Sequence, residues 1–340
     1  MQRTFSFGEY ASSVALYSRE RLFDGIDERS FHVADTHTEQ YLPPSATAFR
    51  LPPGEAAKSW DELERILSGM LAADLTRDAR VVGVGGGVVC DITALAASLY
   101  LRGCALVLIP TTLLAMVDAA IGGKTGINYG GYKNIIGTFY PANEIRICPT
   151  TLATLPEREY RSGLAEVIKT ALLGDAELLA RLENEMSRVL ERDEQLLEEL
   201  VWECVAVKGS IVEADLTETG VRAFLNLGHT FAHALESVQG LGSWSHGEAV
   251  AWGIAQAMNL GVAAGITDAG YAERVRGLLV RYEYRIDPLP DAAGAIRAAM
   301  QKDKKRRGSR LRFVLQERVG QTVVTEVDAD LLNAVLAGRS

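Results

Sequence analysis

Short runs of apolar and β-branched residues alternate with helical periodicities through the first 150 residues. Residues 30–34, 81–84 and 105–109 read as buried strands, and 56–73 and 90–100 as the helices between them. Strand and helix in alternation predict βαβ units and a mostly parallel sheet. From Leu155 the pattern changes. Pro156 followed by Glu157, Arg158 and Glu159 reads as a helix start, because proline suits the first helical turn and acidic side chains suit its dipole. Helical periodicities then run to about Met300. Residues 311–316 and 321–327 flank Gly320 as a short hairpin, and 329–336 reads as a last helix. The expectation is an α/β N-terminal domain over 1–150 and a helical C-terminal domain over 151–340 that ends in a hairpin. The hinge is expected between Cys148 and Leu155.

Length and composition agree with this division. The chain has 340 residues, 48% of them apolar and 23% charged, which suits two globular domains rather than a disordered chain. Its formal charge of -9 leaves nucleic-acid or anionic-membrane binding to a local patch. The patch on offer is Lys302, Lys304, Lys305, Arg306, Arg307 and Arg310, and a solvated face is its simpler reading. Cys90, Cys104, Cys148 and Cys204 are too widely spaced for a zinc finger or a disulfide framework. The N-terminus has no apolar signal core and no segment is apolar enough to span a bilayer, so a cytoplasmic protein is expected.

Four segments carry candidate chemistry. Gly85, Gly86 and Gly87 follow a strand and open a helix, where backbone amides can approach a pyrophosphate. Val88 breaks the dinucleotide spacing, and a tight strand-to-helix turn explains the glycines equally well. The run from Gly122 to Gly126 contains Gly-Lys-Thr, but Asp118 stands where a P-loop needs its first glycine, which excludes that motif. What survives is a loop in which Lys124, with Lys133 and Asn134 close behind, suits an anionic ligand. Three of the five histidines, His229, His233 and His246, fall in one segment, and His229 and His233 stand four apart on one helical face. Arg222 and Asn226 would extend that polar face, although Gly220 and Gly228 oppose an unbroken helix. Glu166 and Lys169 share one helical face among apolar neighbours. They read either as an ion pair or as the carboxylate of a mixed His/Glu metal site with a lysine beside it.

These segments together resemble the sugar phosphate cyclase superfamily, specifically the 3-dehydroquinate synthase family. The strings that carry the resemblance are Gly-Gly-Gly-Val-Val-Cys-Asp at 85–91, Ile-Pro-Thr-Thr-Leu-Leu-Ala at 109–115 and Val-Asp-Ala-Ala-Ile-Gly-Gly-Lys-Thr-Gly at 117–126. They continue with Gly-Leu-Ala-Glu-Val-Ile-Lys at 163–169, Leu-Asn-Leu-Gly-His-Thr-Phe-Ala-His at 225–233 and His-Gly-Glu-Ala-Val-Ala at 246–251. Cys90, Ala119 and Ala232 depart from the usual pattern.

The resemblance implies a dehydroquinate synthase-like fold with a Rossmann-like first domain, and a divalent metal, usually zinc with cobalt as the alternative, on Glu166, His229 and His246. It implies NAD against Glu55, Lys58, Gly86, Gly87, Asp91, Thr111, Thr112, Lys124, Lys133, Thr151, Leu152 and Thr154, with Asp35 near the adenosine ribose. It implies a substrate carboxylate on Lys208 and Arg222, hydroxyls on Asp118, Lys169 and Asn226, and a phosphate on Lys124, Asn134, Arg102 and Lys304 or Lys305. Arg102 would come from a second subunit, so a homodimer is implied. His233 is the candidate for proton traffic, and Glu218 for orienting the polar network or pairing with Arg222. The implied activity uses NAD transiently to eliminate phosphate from a seven-carbon sugar acid phosphate and close a carbocycle. The competing readings are another cyclase of the superfamily (amino-dehydroquinate, 2-deoxy-scyllo-inosose or valiolone type), a metal-dependent polyol dehydrogenase, and a non-catalytic binding protein.

Overall fold

The computed structural model describes residues 1–339 except 28, 45, 47, 175, 240–243 and 308–310; the side chains of 239 and 303–307 are also outside the description. The chain forms two compact units. The first is Met1–Pro156 with Arg192–Thr217, the second Glu157–Glu191 with Glu218–Ser340.

The first unit holds strands β1 (Gln2–Phe7), β2 (Tyr10–Leu16), β3 (Phe31–Asp35), β4 (Ala48–Leu51), β5 (Arg80–Gly85), β6 (Ala105–Pro110), β7 (Ile127–Tyr129), β8 (Tyr132–Ile136) and β9 (Glu144–Ile147). Seven of them make one sheet in the order β1-β2-β9-β6-β5-β3-β4. Every pair in it is parallel except β1 with β2. Strands β7 and β8 form a separate antiparallel hairpin. The central strands are apolar on both faces, as sheets covered on both sides require: Val33, Ala34, Val82, Val84, Leu106 and Ile109 are all buried.

Helix α1 (Trp60–Ala72) begins after Ser59, whose side chain accepts from the Glu62 amide. The pattern had extended this helix back to residue 56, but a 3₁₀ turn at Glu55–Ala57 precedes it. Helix α2 (Gly87–Leu99) begins three residues earlier than the periodicity suggested, directly on the glycine turn after β5.

The second unit comprises α3 (Glu157–Gly174), α4 (Ala176–Asn184), α5 (Met186–Leu190), α7 (His229–Gln239), α8 (His246–Ala263), α9 (Ala269–Arg281), α10 (Ala293–Arg307) and α11 (Ala329–Leu336), with the hairpin β10 (Arg312–Arg318) and β11 (Gln321–Glu326). Apolar and small on nearly all sides, α8 forms its centre and packs against α3, α7, α9, α11 and β10.

The remaining helix, α6 (Glu194–Ala214), differs from expectation. Its sequence lies inside the helical half, yet it belongs to the first unit. Gly209 explains this: a Cβ there would fall 2.3 Å from the Phe5 ring, so α6 lies directly on β1. Helical periodicity reports that one face is buried, not which partner buries it. Among the described residues no helix is long and apolar enough to cross a membrane.

Candidate active site

In the first unit, Gly86 caps α2 and Gly87 is its first helical residue, where unpaired helix amides gather. Beside this turn lies a polar cluster. Lys58, almost fully buried, places Nζ 2.5 Å from Asp91 Oδ2 and also donates to Asn134 Oδ1. Asn128 joins it, donating 2.8 Å to Glu55 Oε1 while its own Oδ1 accepts from the Asn134 amide at 2.9 Å. Asn134 holds a positive φ of 51°, a backbone state that asparagine tolerates better than most side chains. Thr111 donates its amide to Gly85 O at 2.9 Å, and Thr112 Oγ1 accepts from the Ala115 amide at 3.2 Å. Sequence reasoning missed Asn128, whose signal was its place between two already suspected segments.

A π-helical turn over Ala115–Ala119 carries Asp118, which meets Lys208 of α6. Lys208 Nζ lies 2.7 Å from Asp118 Oδ1 and also donates to the Asp118 carbonyl. Two residues assigned separately from sequence are thus an ion pair. Ala119 stands on the same turn: a Cβ at Gly87 would lie 3.4 Å from its methyl. Cys90 is buried, with Sγ 3.7 Å from Gly85 O, so neither departure from the family pattern displaces a donor.

Other expected contacts take more local roles. Asp35 Oδ1 accepts from the His37 amide, the Thr38 amide and Thr38 Oγ1, each at 2.9 Å, so this oxygen is engaged in its own turn. The 3₁₀ turn Pro149–Thr154 binds itself to neighbours, with Thr151 Oγ1 donating 2.8 Å to Cys148 O, Leu152 O accepting from Arg192, and Thr154 Oγ1 lying 2.6 Å from Tyr41 Oη. Arg102, Lys124 and Lys133 are exposed. The side chains of Lys304 and Lys305 lie outside the described residues.

The second unit holds its own buried polar cluster. Glu166 on α3 is completely buried, and single oxygen or nitrogen atoms of Glu166, His229 and His246 lie within 4.8 Å of one another. His246 Nε2 is 3.1 Å and His229 Nε2 3.7 Å from Glu166 Oε1. These bracket the roughly 3.3 Å ligand spacing that tetrahedral zinc requires with bonds near 2.0–2.1 Å. Lys169, one turn along α3, sets Nζ 2.5 Å from Glu166 Oε2, a close ionic contact without hydrogen-bond alignment.

Local sequence explains the convergence. Gly228, at φ 78°, turns the chain into α7 so that His229 begins the helix; a Cβ there would lie 2.7 Å from the Ile254 nitrogen of α8. His246 begins α8 after a capping box in which Ser245 and Glu248 exchange backbone bonds. Gly247 then lets α8 touch α3, since a Cβ there would stand 2.2 Å from Ser162 O. The Gly247 amide donates 3.0 Å to Ser162 Oγ.

Each histidine uses its second nitrogen. His229 Nδ1 is 3.2 Å from Leu227 O, and His246 Nδ1 is 3.3 Å from Glu236 Oε1. Glu236 was not singled out from sequence, although it stands seven residues after His229 on the same helical face. Burial pushes the His229 imidazole down to about 3, and the Lys169 ammonium adds to the effect, so this ring is a neutral donor. Burial would lower His246 as well, but hydrogen bonds to Glu166 and Glu236 lift it to about 10. Burial would raise Glu166, yet the charge of Lys169 and the bond to His246 hold it well below the usual carboxylate range. A carboxylate that stays ionised, a neutral imidazole and a position where positive charge is favoured together suit a divalent cation.

The polar face predicted upstream of His229 is divided. Val221–Asn226 is a 3₁₀ turn, separated from α7 at Gly228. Arg222 is buried within it, and Asn226 Nδ2 donates to Glu218 Oε1. His233 is exposed, its ring 5.4 Å from that of His229 and perpendicular to it.

Comparison with known proteins identifies the family. The family profile described as 3-dehydroquinate synthase N-terminal matches residues 48–162, and the 3-dehydroquinate synthase C-terminal profile matches 163–306. The 3-dehydroquinate synthase of Geobacter metallireducens is 44% identical over 270 residues, 79% of this chain and 75% of that one. Among solved structures, a 2-epi-5-epi-valiolone synthase from Streptomyces hygroscopicus with NAD+ and Zn2+ bound is 29% identical. It superposes with a TM-score of 0.88 over 99% of this chain and 98% of that one. A 2-deoxy-scyllo-inosose synthase complexed with carbaglucose-6-phosphate, NAD+ and Co2+ shares the fold, with a TM-score of 0.89 over the whole of both chains at 22% identity. With both halves matched and identity this high over most of its length, the chain belongs to the 3-dehydroquinate synthase family, whose members are enzymes of the lyase type.

Proposed function

We propose that this protein converts 3-deoxy-D-arabino-heptulosonate 7-phosphate into 3-dehydroquinate and inorganic phosphate, a step of the shikimate pathway toward aromatic amino acids. The observation that carries the reading is the buried Glu166, His229 and His246 set, held by two outer acceptors and flanked by Lys169. Bound there, a divalent metal such as Zn2+ would polarise a substrate hydroxyl, while NAD would accept and return one hydride without net consumption.

The first unit supplies the NAD contacts: the Gly86-Gly87 turn for the pyrophosphate, the Glu55, Lys58 and Asp91 cluster, Thr111, Thr112, Lys124, Lys133, and the turn of Thr151, Leu152 and Thr154, with Asp35 toward the ribose. Lys208 and Arg222 are nearly or fully buried cations and suit a carboxylate. Asp118, Lys169 and Asn226 suit hydroxyls, with Glu218 fixing the Asn226 amide. Lys124, Asn134, Arg102 and Lys304 or Lys305 suit the phosphate. His233, close to His229, moves the proton of the oxidised hydroxyl. The protein acts as a homodimer in the cytoplasm, a compartment in keeping with four buried free cysteines.

The likeness to a 2-epi-5-epi-valiolone synthase supports a second reading, a sister cyclisation. The two readings part at the substrate acid, for which buried Arg222 and Lys208 are the proposed partners. The test is incubation with the heptulosonate phosphate, catalytic NAD and Zn2+, following phosphate, dehydroquinate and NADH together. Phosphate and dehydroquinate released in equal amounts without NADH build-up are expected. Accumulating NADH, or turnover only of a phosphosugar lacking the carboxylate, would sink the proposal.

A further inference from the structure

His246 is gripped from both sides of its ring. Nε2 faces Glu166 Oε1 at 3.1 Å and Nδ1 faces Glu236 Oε1 at 3.3 Å. Glu236 is 9% exposed and sits on α7, a different element from either α3 or α8. A neutral imidazole carries one proton. If Nε2 is given to a metal, that proton must sit on Nδ1, where it donates to the Glu236 carboxylate. The other histidine is treated differently, since among the described residues His229 Nδ1 meets the neutral Leu227 carbonyl. One ring is therefore oriented by a backbone dipole and the other by a full negative charge, which makes its donor nitrogen more basic.

We infer that Glu236 is a positioning residue of the metal centre, fixing the tautomer and orientation of His246 and raising the affinity of the Glu166, His229 and His246 set for a divalent ion. The inference rests on the metal-centre reading proposed above. It assigns Glu236 no contact with metal or substrate; its effect passes through the His246 ring. Glutamine at this position keeps the shape and an acceptor oxygen but removes the charge, so Glu236→Gln separates the two contributions. Glu236→Asp keeps the charge and withdraws it by one methylene.

The experiment titrates metal-free protein with Co2+, read by visible absorbance, and with Zn2+ in competition with a chromogenic chelator, for wild type, Glu236→Gln, Glu236→Asp and His229→Ala. Both Glu236 variants should bind each ion more weakly, the Gln variant by about 10–100-fold, and should shift the Co2+ absorption bands. Metal-free Glu236→Asp should unfold close to wild type and Glu236→Gln cooperatively at a somewhat lower midpoint, because the carboxylate beside His246 is lost. Affinity within twofold of wild type, with unchanged bands, overturns the inference, as does failure of both variants to fold, which would make Glu236 a structural residue only. Failure of the metal-centre reading looks different: wild type and His229→Ala would then bind Co2+ equally poorly.

Discussion

The two units solve the problem of holding charge in opposite ways. In the first, cations meet anions one to one: Lys58 with Asp91, Lys208 with Asp118. In the second, a single buried carboxylate is approached by a lysine and two histidines, one of which leans on a further carboxylate. An anionic ligand that takes one of these cations competes with the carboxylate already beside it, so its binding is offset by the pair it displaces. A convergent donor set on packed helices is specific to one small cation and resists rearrangement. The first arrangement suits ligands that come and go, the second an ion that stays.

The sharpest way to break this contrast lies in the second unit. His229→Ala is expected to lose bound metal and turnover together, the latter on the order of a thousandfold, since metal polarisation supplies several kcal/mol. Metal content by elemental analysis beside steady-state rates checks this, and retention of both would remove His229 from the ligand set. In the first unit, Lys208→Met removes the ammonium beside Asp118, whose side chain is 23% exposed, so destabilisation should fall below the roughly 3–5 kcal/mol of a fully buried pair. Thermal unfolding reads it, and an unchanged midpoint would mean that the pair contributes little.

Gly247→Ala should cost about 3 kcal/mol, the upper end of overpacking, because its Cβ would meet the Ser162 backbone, and should weaken metal binding by pushing α8 away from α3. Metal affinity equal to wild type would show that this close contact does not set the His246 position. The smallest effect concerns His32 of β3, whose pKa burial lowers below its ordinary 6.5. The folded protein keeps this ring neutral where the unfolded chain takes up a proton, so stability is lost as pH falls from about 6.5 toward the lowered value. His32→Phe should flatten the stability profile there by no more than about 1.4 kcal/mol per pH unit. Parallel profiles for the two proteins would discount the ring.

Much of this was legible in the sequence, for identifiable reasons. Strands β3, β5 and β6 are apolar on both faces, and Pro156 marks the start of α3 almost to the residue. The metal set was readable because histidine is rare in this chain and Glu166 lies in an apolar stretch. Less visible were β1, β2, β4 and β9, whose residues mix polar and apolar positions, and the β7–β8 hairpin, whose apolar tips Tyr129 and Ile135 are exposed. Glu236 could not be assigned a partner, because the pairing depends on the path that brings α8 back beside α7. The Lys208–Asp118 pair was hidden for a similar reason: 90 residues separate the two, and only the packing of α6 on β1 brings them together.

That packing bears on the order in which the protein is made. The sheet of the first unit is complete in sequence by Ile147, but its helix α6 is not synthesised until residue 214, after α3, α4 and α5 of the other unit. During translation Phe5 and its neighbours must therefore wait, uncovered, until Gly209 of α6 is made, about 200 residues later. A fragment cut at the apparent domain boundary near Pro156 would leave that apolar face bare permanently. The nucleotide-binding half should consequently be a poor candidate for separate expression, prone to self-association, unless Arg192–Thr217 is restored to it.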